Sequence, residues 1–136
     1  MSTRSYIAIR AARDPDNKSQ KEDIQMVYCH FDGYPSNNGQ QLLDYYTTDE
    51  KVYDLIGLGD MSSLGRSLSQ CEFYGRDRGE FGTNAQTFTC FNAFKKAAND
   101  VSYNYLFDCQ DEQWYYRSCG DNDFSLLDYK SCAPRS

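Results

Sequence analysis

Tyr28-Cys29-His30-Phe31-Asp32-Gly33-Tyr34-Pro35 carries the chain's one histidine beside a carboxylate and two phenols. A neutral imidazole next to a carboxylate can accept a proton near neutral pH, so His30 and Asp32 form a candidate acid–base pair. On an extended strand the two side chains point the same way. Cys29 faces the other way, and no serine is placed by spacing as a nucleophile. A histidine that simply holds a turn explains the same residues, and Asp32-Gly33 is ordinary turn chemistry. The stretch defines a candidate site without naming a reaction.

A second constellation is Tyr74-Gly75-Arg76-Asp77-Arg78-Gly79-Glu80. Two arginines flanked by glycines can present guanidinium forks to a phosphate, a carboxylate or a nucleotide. The alternative is a solvated loop in which Arg76, Asp77, Arg78 and Glu80 neutralise one another, and exposed pairs of that kind add little stability. The spacing matches neither a P-loop nor the dinucleotide-binding fingerprint. The candidate ligand- or partner-binding residues are therefore Tyr28, His30, Asp32, Tyr34, Tyr74, Arg76, Asp77, Arg78 and Glu80. The imidazole corner and the arginine segment are expected to meet around a shared concavity roofed by tyrosines.

The elements that must position these residues follow from periodicity. Residues 4–11 and 24–31 alternate as strands and are expected to pair as a long-looped hairpin across the Pro15 and Asn17 turn region. Ser36, Asn37 or Asn38 can cap a helix bearing Leu42, Leu43 and Tyr46. Thr47 with Glu50 fits a capping box for a second helix, which buries Val52, Leu55 and Ile56 and ends at Gly57 and Gly59. Residues 60–65 read as one helical turn capped by Asp60, and about 66–87 as an irregular loop. Thr87 or Thr89 is expected to start a helix with Phe91, Phe94, Ala97 and Ala98 on one side. Residues 101–108 and 113–118, rich in Tyr, Phe and Trp, predict a β-hairpin. A short element of either type follows at 124–129. The expected fold is α+β: a mainly antiparallel sheet of about four strands with helices packed on one face.

The bulk composition narrows the function classes. The 136 residues, 40% hydrophobic and 15% aromatic, suit one domain over 1–136, with a tail from about 119 to 136. The net charge of −6 argues against general nucleic-acid binding. Imitation of phosphate calls for a block of like charge, whereas Asp108, Asp111 and Glu112 are followed by Arg117. The 12 tyrosines suit a surface that faces a partner as well as a core margin. No run approaches a membrane span and no leader pattern opens the chain, so a reducing cytosol is expected. The six cysteines lack a C-x-x-C pair and are expected to stay thiols, most of them buried, with no metal and no cofactor.

The run Val27 to Pro35, then Asn38-Gly39, Leu42-Leu43, Tyr46, Val52, Leu55-Ile56 and Leu58 to Gly65, resembles a family of small bacteriophage and prophage proteins. That family, uncharacterised in function, carries a Tyr-Cys-His-Trp-Asp-Gly-Tyr-Pro signature. Tyr74 to Glu80, Tyr105-Leu106-Phe107 and Gln113-Trp114-Tyr115 are similar to it as well. Phe31 stands where the family has Trp, and the tail beyond about residue 118 is less typical. The resemblance implies a viral context and brings no catalytic residues. The expected function is that of a phage accessory protein in the host cytoplasm that binds and inhibits a bacterial host protein or defence complex, for example as an anti-CRISPR. Two alternatives stand beside it: a protein that holds a nucleotide or signalling metabolite, and a small enzyme using His30 and Asp32, with Glu80. A homo-oligomer is compatible with each.

Overall fold

The computed structural model describes residues 2–133. The last three positions of the 119–136 tail lie outside the described residues. Strand β1 (Ser5–Arg10) occupies the centre, with Ile7, Ala8 and Ile9 all fully buried. Three apolar residues in a row, with no polar alternation, mark a strand covered on both faces. β1 pairs antiparallel with β2 (Ile24–Cys29), placing Tyr6 opposite Tyr28. On its other side it pairs parallel with β6 (Tyr103–Asp108). The expected hairpin of β6 with β7 (Gln113–Ser118) is present and antiparallel.

Four shorter strands extend this frame. β3 (Met61–Ser63) runs parallel to the end of β2, and β4 (Glu72–Phe73) pairs antiparallel with β3. β5 (Gln86–Phe88) pairs with the start of β2, and β8 (Ser125–Leu126) pairs with β7. The sheet is thus mixed and eight-stranded, ordered β4-β3-β2-β1-β6-β7-β8 with β5 also on β2. This corrects the expectation of about four mainly antiparallel strands. Segments of two or three residues are too short to show a period of two, so residues 60–65 read as a helical turn and 66–87 as irregular.

Helices cover both faces, not one. The chain after β2 winds through a wide turn at Pro35–Gly39 into α1 (Gln40–Tyr45). Pro35 opens that turn, where its missing N–H costs nothing. Asn38 is therefore not a cap; it is buried within the turn. α2 (Asp49–Gly57) is capped by Thr48, whose hydroxyl accepts the Lys51 N–H, one residue later than expected. Gly59, with φ of +88°, follows its end. Leu42, Val52, Leu55 and Ile56 pack with Ile7, Ile9, Val27 and Phe107 on one sheet face, joined by Cys132 of α4 (Tyr129–Cys132). On the opposite face α3 (Phe91–Ala97), which starts after Cys90, sets Phe94 and Ala98 against Ala8, Ile24, Met26 and Leu106. Burying a side chain such as Phe94 contributes about 2–3 kcal/mol.

Candidate functional site

α3 packs over the part of its sheet face that carries Ala8, Ile24, Met26 and Leu106. Even-numbered side chains of β1 and β2 point to that face, so Tyr6, Tyr28 and then His30 continue it beyond the reach of Ala8 and Met26. All three are half-buried; Tyr6 packs at the margin of the α3 cluster, and Tyr28 and His30 follow it along the sheet. The Tyr6 and Tyr28 rings meet edge to face at 5.9 Å. Past β2 the chain leaves the regular ladder: His30 N–H donates to the Met61 carbonyl at 3.1 Å and the next N–H, of Phe31, to the Ser62 carbonyl at 2.9 Å. Its backbone thus ties His30 to β3, and Phe31, 45% exposed, sits against the His30 ring with centroids 4.6 Å apart.

A 2.7 Å hydrogen bond joins the Tyr28 hydroxyl to His30 Nδ1. Burial raises the Tyr28 phenol above its ordinary value, although nearby Arg4 pulls it the other way. With the Arg4 guanidinium on the phenol oxygen, the phenol serves as donor to Nδ1, which leaves the ring proton of a neutral imidazole on Nε2. Tyr6 is pushed up to about 12 by burial, with Asp100 and Asp60 adding to it.

Asp60 fills a gap in the sheet. Between the stretches of β2 that pair with β5 and β3, the Tyr28 N–H donates to Asp60 Oδ1 at 2.9 Å. Burial raises the Asp60 carboxyl above the usual carboxylate value, opposed by that same hydrogen bond. Its own N–H donates to the Thr83 carbonyl at 2.7 Å, while its carbonyl accepts the Tyr74 N–H at 3.1 Å. One side chain and its backbone thus tie the histidine strand to the arginine loop.

The arginine loop divides. Arg78 lies over Tyr74, 5.0 Å from the ring, pairs with Glu72 and reaches Ser62 Oγ at 3.5 Å. Ser62 alternates with core-facing Met61, so Arg78 and Tyr74 stand on the same face as Tyr28 and His30. Arg76 goes elsewhere: it stacks over buried Phe73 at 4.7 Å, donates to the Cys71 carbonyl and clasps Asp77 with both nitrogens at 3.0 Å. Asp77 in turn accepts the Phe73 N–H at 2.8 Å. Glu80 is exposed at the loop's end, and Arg78 takes Glu72 as its partner instead.

The turn after His30 separates Asp32 from the imidazole. Asp32 adopts φ of +56°, its carbonyl accepts from Asn37 Nδ2, and its carboxylate faces the Tyr34 hydroxyl at 3.4 Å. The His30 ring bonds Tyr28 instead. Behind the turn, Asn38 Nδ2 donates to Ser5 Oγ and to Cys29 Sγ, each at 3.4 Å. Burial pushes the Cys29 thiol up to about 11, which makes it a poor nucleophile at neutral pH.

Of the expected residues, Tyr28, His30, Tyr74 and Arg78 share one face, while Asp32 with Tyr34 and Arg76 with Asp77 lie away from it. The two motifs meet along a sheet face through Asp60 and Ser62. Four surface pockets of about 250–370 Å³ are lined by other residues, except that Tyr34 borders one of them. The spacing missed Tyr6, Arg4, Ser62 and Asp60. Tyr6 could have been found, since a hairpin of the first two strands sets it opposite Tyr28; Asp60 arrives from a loop and left no local signal. Among the described residues no three His, Cys, Asp or Glu side chains gather where they could hold a metal ion. No helix among them is long and apolar enough to cross a membrane. No family model, curated protein or solved structure matches this chain.

Proposed function

We propose that the protein is a phage accessory factor that acts in the host cytoplasm by non-covalent binding and inhibits a bacterial host or defence factor. The observation that supports this reading is the part of the sheet face beyond the α3 cluster, where Tyr6, Tyr28, His30, Phe31, Tyr74 and Arg78 lie together, most of them half-buried. Tyrosine and arginine are the residues that carry binding energy at protein interfaces, because they combine apolar area with a polar tip. A standard interface takes about 800 Å² from each partner. That is near a tenth of the 7756 Å² surface of the described residues.

Geometry favours binding over the alternatives. His30 is bonded to a phenol, and among the described residues no carboxylate forms an ion pair with it. Arg76 and Arg78 are engaged by Asp77 and Glu72, so a phosphate would first have to displace a carboxylate.

The test is affinity capture from bacterial lysate at several salt concentrations, comparing wild type with the double variant His30→Ala/Phe31→Ser. A stoichiometric partner is retained by wild type and lost by a variant of nearly unchanged Tm. Absence of any stoichiometric partner at every salt concentration would overturn the reading.

A further inference from the structure

On the same sheet face as the tyrosines, but beyond α3, a second polar feature has no part in the proposed interface. Asn92, Lys95, Lys96 and Asn99 recur at three- and four-residue spacing, so they form one stripe along α3 and its last turn. Across from that stripe runs the β7–β8 connection, with Gly120, Asp121 and Asn122. The space between is about 370 Å³, within the size range of small-ligand sites.

Arg117 forms the wall at the base of this groove and is only 4% exposed. Its guanidinium donates to Asn104 Oδ1 at 2.8 Å, to the Lys95 carbonyl at 2.5 Å and to the Asn122 carbonyl at 3.4 Å. All three acceptors are neutral, and the guanidinium lies over the Phe124 ring, 4.9 Å from its centroid. No carboxylate lies within ion-pair distance of Arg117, Lys95 or Lys96 among the described residues, although Lys95 also rests over the Phe91 ring at 5.6 Å. A buried positive charge without a counter-charge is costly unless something supplies one. Burial pulls the Arg117 pKa down from its ordinary value, with Asp121 opposing.

We infer that this groove is a binding site for a small phosphate-bearing anion. Its lining sets three cations against one carboxylate in a chain of net charge −6. That carboxylate, on Asp121, is turned to the Ser118 N–H at 3.3 Å. Lysines act on phosphate as mobile point charges, and Arg117, whose three nitrogens are engaged by the protein, adds its positive charge from beneath. The carboxamides of Asn92, Asn99 and Asn122 add donors and acceptors for phosphate oxygens or neighbouring hydroxyls. No aromatic ring lines the groove, so nothing there stacks a base. The ligand class is a compact, multiply charged oxyanion such as phosphate, pyrophosphate or a sugar phosphate.

Isothermal titration at physiological ionic strength tests this with inorganic phosphate, pyrophosphate, glucose 6-phosphate and AMP. One-to-one saturable binding of at least one probe is expected, weakened about tenfold or more in Lys95→Gln/Lys96→Gln, which corresponds to about 1.4 kcal/mol. Both lysines project from a helix surface, and Tm verifies the variant's fold; Lys96→Gln alone serves if the pair is unstable. AMP or glucose 6-phosphate above inorganic phosphate would show that the rest of the ligand is read, and equal affinities that the phosphate alone is. No saturable binding of any probe, or binding undiminished in a folded variant, overturns the inference.

Discussion

The Tyr105 hydroxyl donates to the Gly33 carbonyl at 2.6 Å, pinning the turn after His30 to the middle of β6. From the other side, the Gly33 N–H donates to the Thr3 carbonyl at 2.8 Å. A Cβ at Gly33 would lie 2.7 Å from that carbonyl oxygen and 2.8 Å from Ser5 Cβ. The glycine is required by close packing of three chain segments. The turn that follows His30 is therefore held from two sides at Gly33.

Tyr105→Phe leaves the Gly33 carbonyl buried without its donor. The expected cost is about 1–3 kcal/mol, read from urea unfolding midpoints. Gly33→Ala is expected to cost a similar amount by overpacking, because Thr3 or Ser5 must move. Midpoints equal to wild type for both variants would contradict this account of the turn.

Asp60 gives stability a pH dependence of definite sign. Burial raises its folded pKa, so the folded chain holds that proton more tightly than the unfolded one. Its contribution is present in acid and is lost as pH rises through the raised value. Asp60→Asn keeps an oxygen for the Tyr28 N–H and removes the titration. The variant's Tm should gain on wild type as pH climbs from about 4, the unperturbed carboxylate value, and then level off. A difference that stays constant with pH would refute the assignment.

The thiols should separate by exposure and chemistry. Cys90 and Cys119 are exposed, while Cys29, Cys71 and Cys132 are buried and Cys109 is partly covered. Burial pushes Cys109 and Cys132 up to about 11. Ellman's reagent on the native protein is expected to titrate Cys90 and Cys119 quickly, with the others reacting only on unfolding. Fast reaction of Cys29 or Cys132, identified by peptide mapping, would be inconsistent with the packing around α1 and α4.

The Tyr28–His30 bond predicts a tautomer. In wild type, ¹⁵N spectra of neutral His30 should show protonated Nε2 and bare Nδ1. Tyr28→Phe removes the donor and should shift those resonances toward a mixed population. Identical spectra in the two proteins would mean that the phenol does not fix the ring.

Strands with several residues to show their pattern were legible in the sequence: β1, β2 and the β6–β7 hairpin all follow from runs such as Tyr105-Leu106-Phe107. The parallel contact of β1 with β6 was not, because nothing local in either strand states which distant partner it will take. Ile7-Ala8-Ile9 did hold a clue, since an unbroken apolar run implies cover on both faces, against helices on one side only. Tyr28 and His30 were legible as a pair by alternation alone. Strand spacing pairs Asp32 with the imidazole, but Asp32 sits at positive φ and so leaves the strand. Arg76 and Arg78, two apart, looked equivalent; Glu72 and Asp77 sort them to different surroundings, and Glu72 lay outside the motif.

The placement of β1 in the middle of the sheet bears on how the chain is made. Its first strand gains its second neighbour only when β6 has been synthesised, so until then the Ile7 and Ile9 flank is open along one whole edge. An exposed edge of that kind invites chaperone capture or intermolecular strand pairing. Assembly of the native sheet must therefore wait until translation is well advanced, and a ribosome stalled before β6 would hold an aggregation-prone nascent chain.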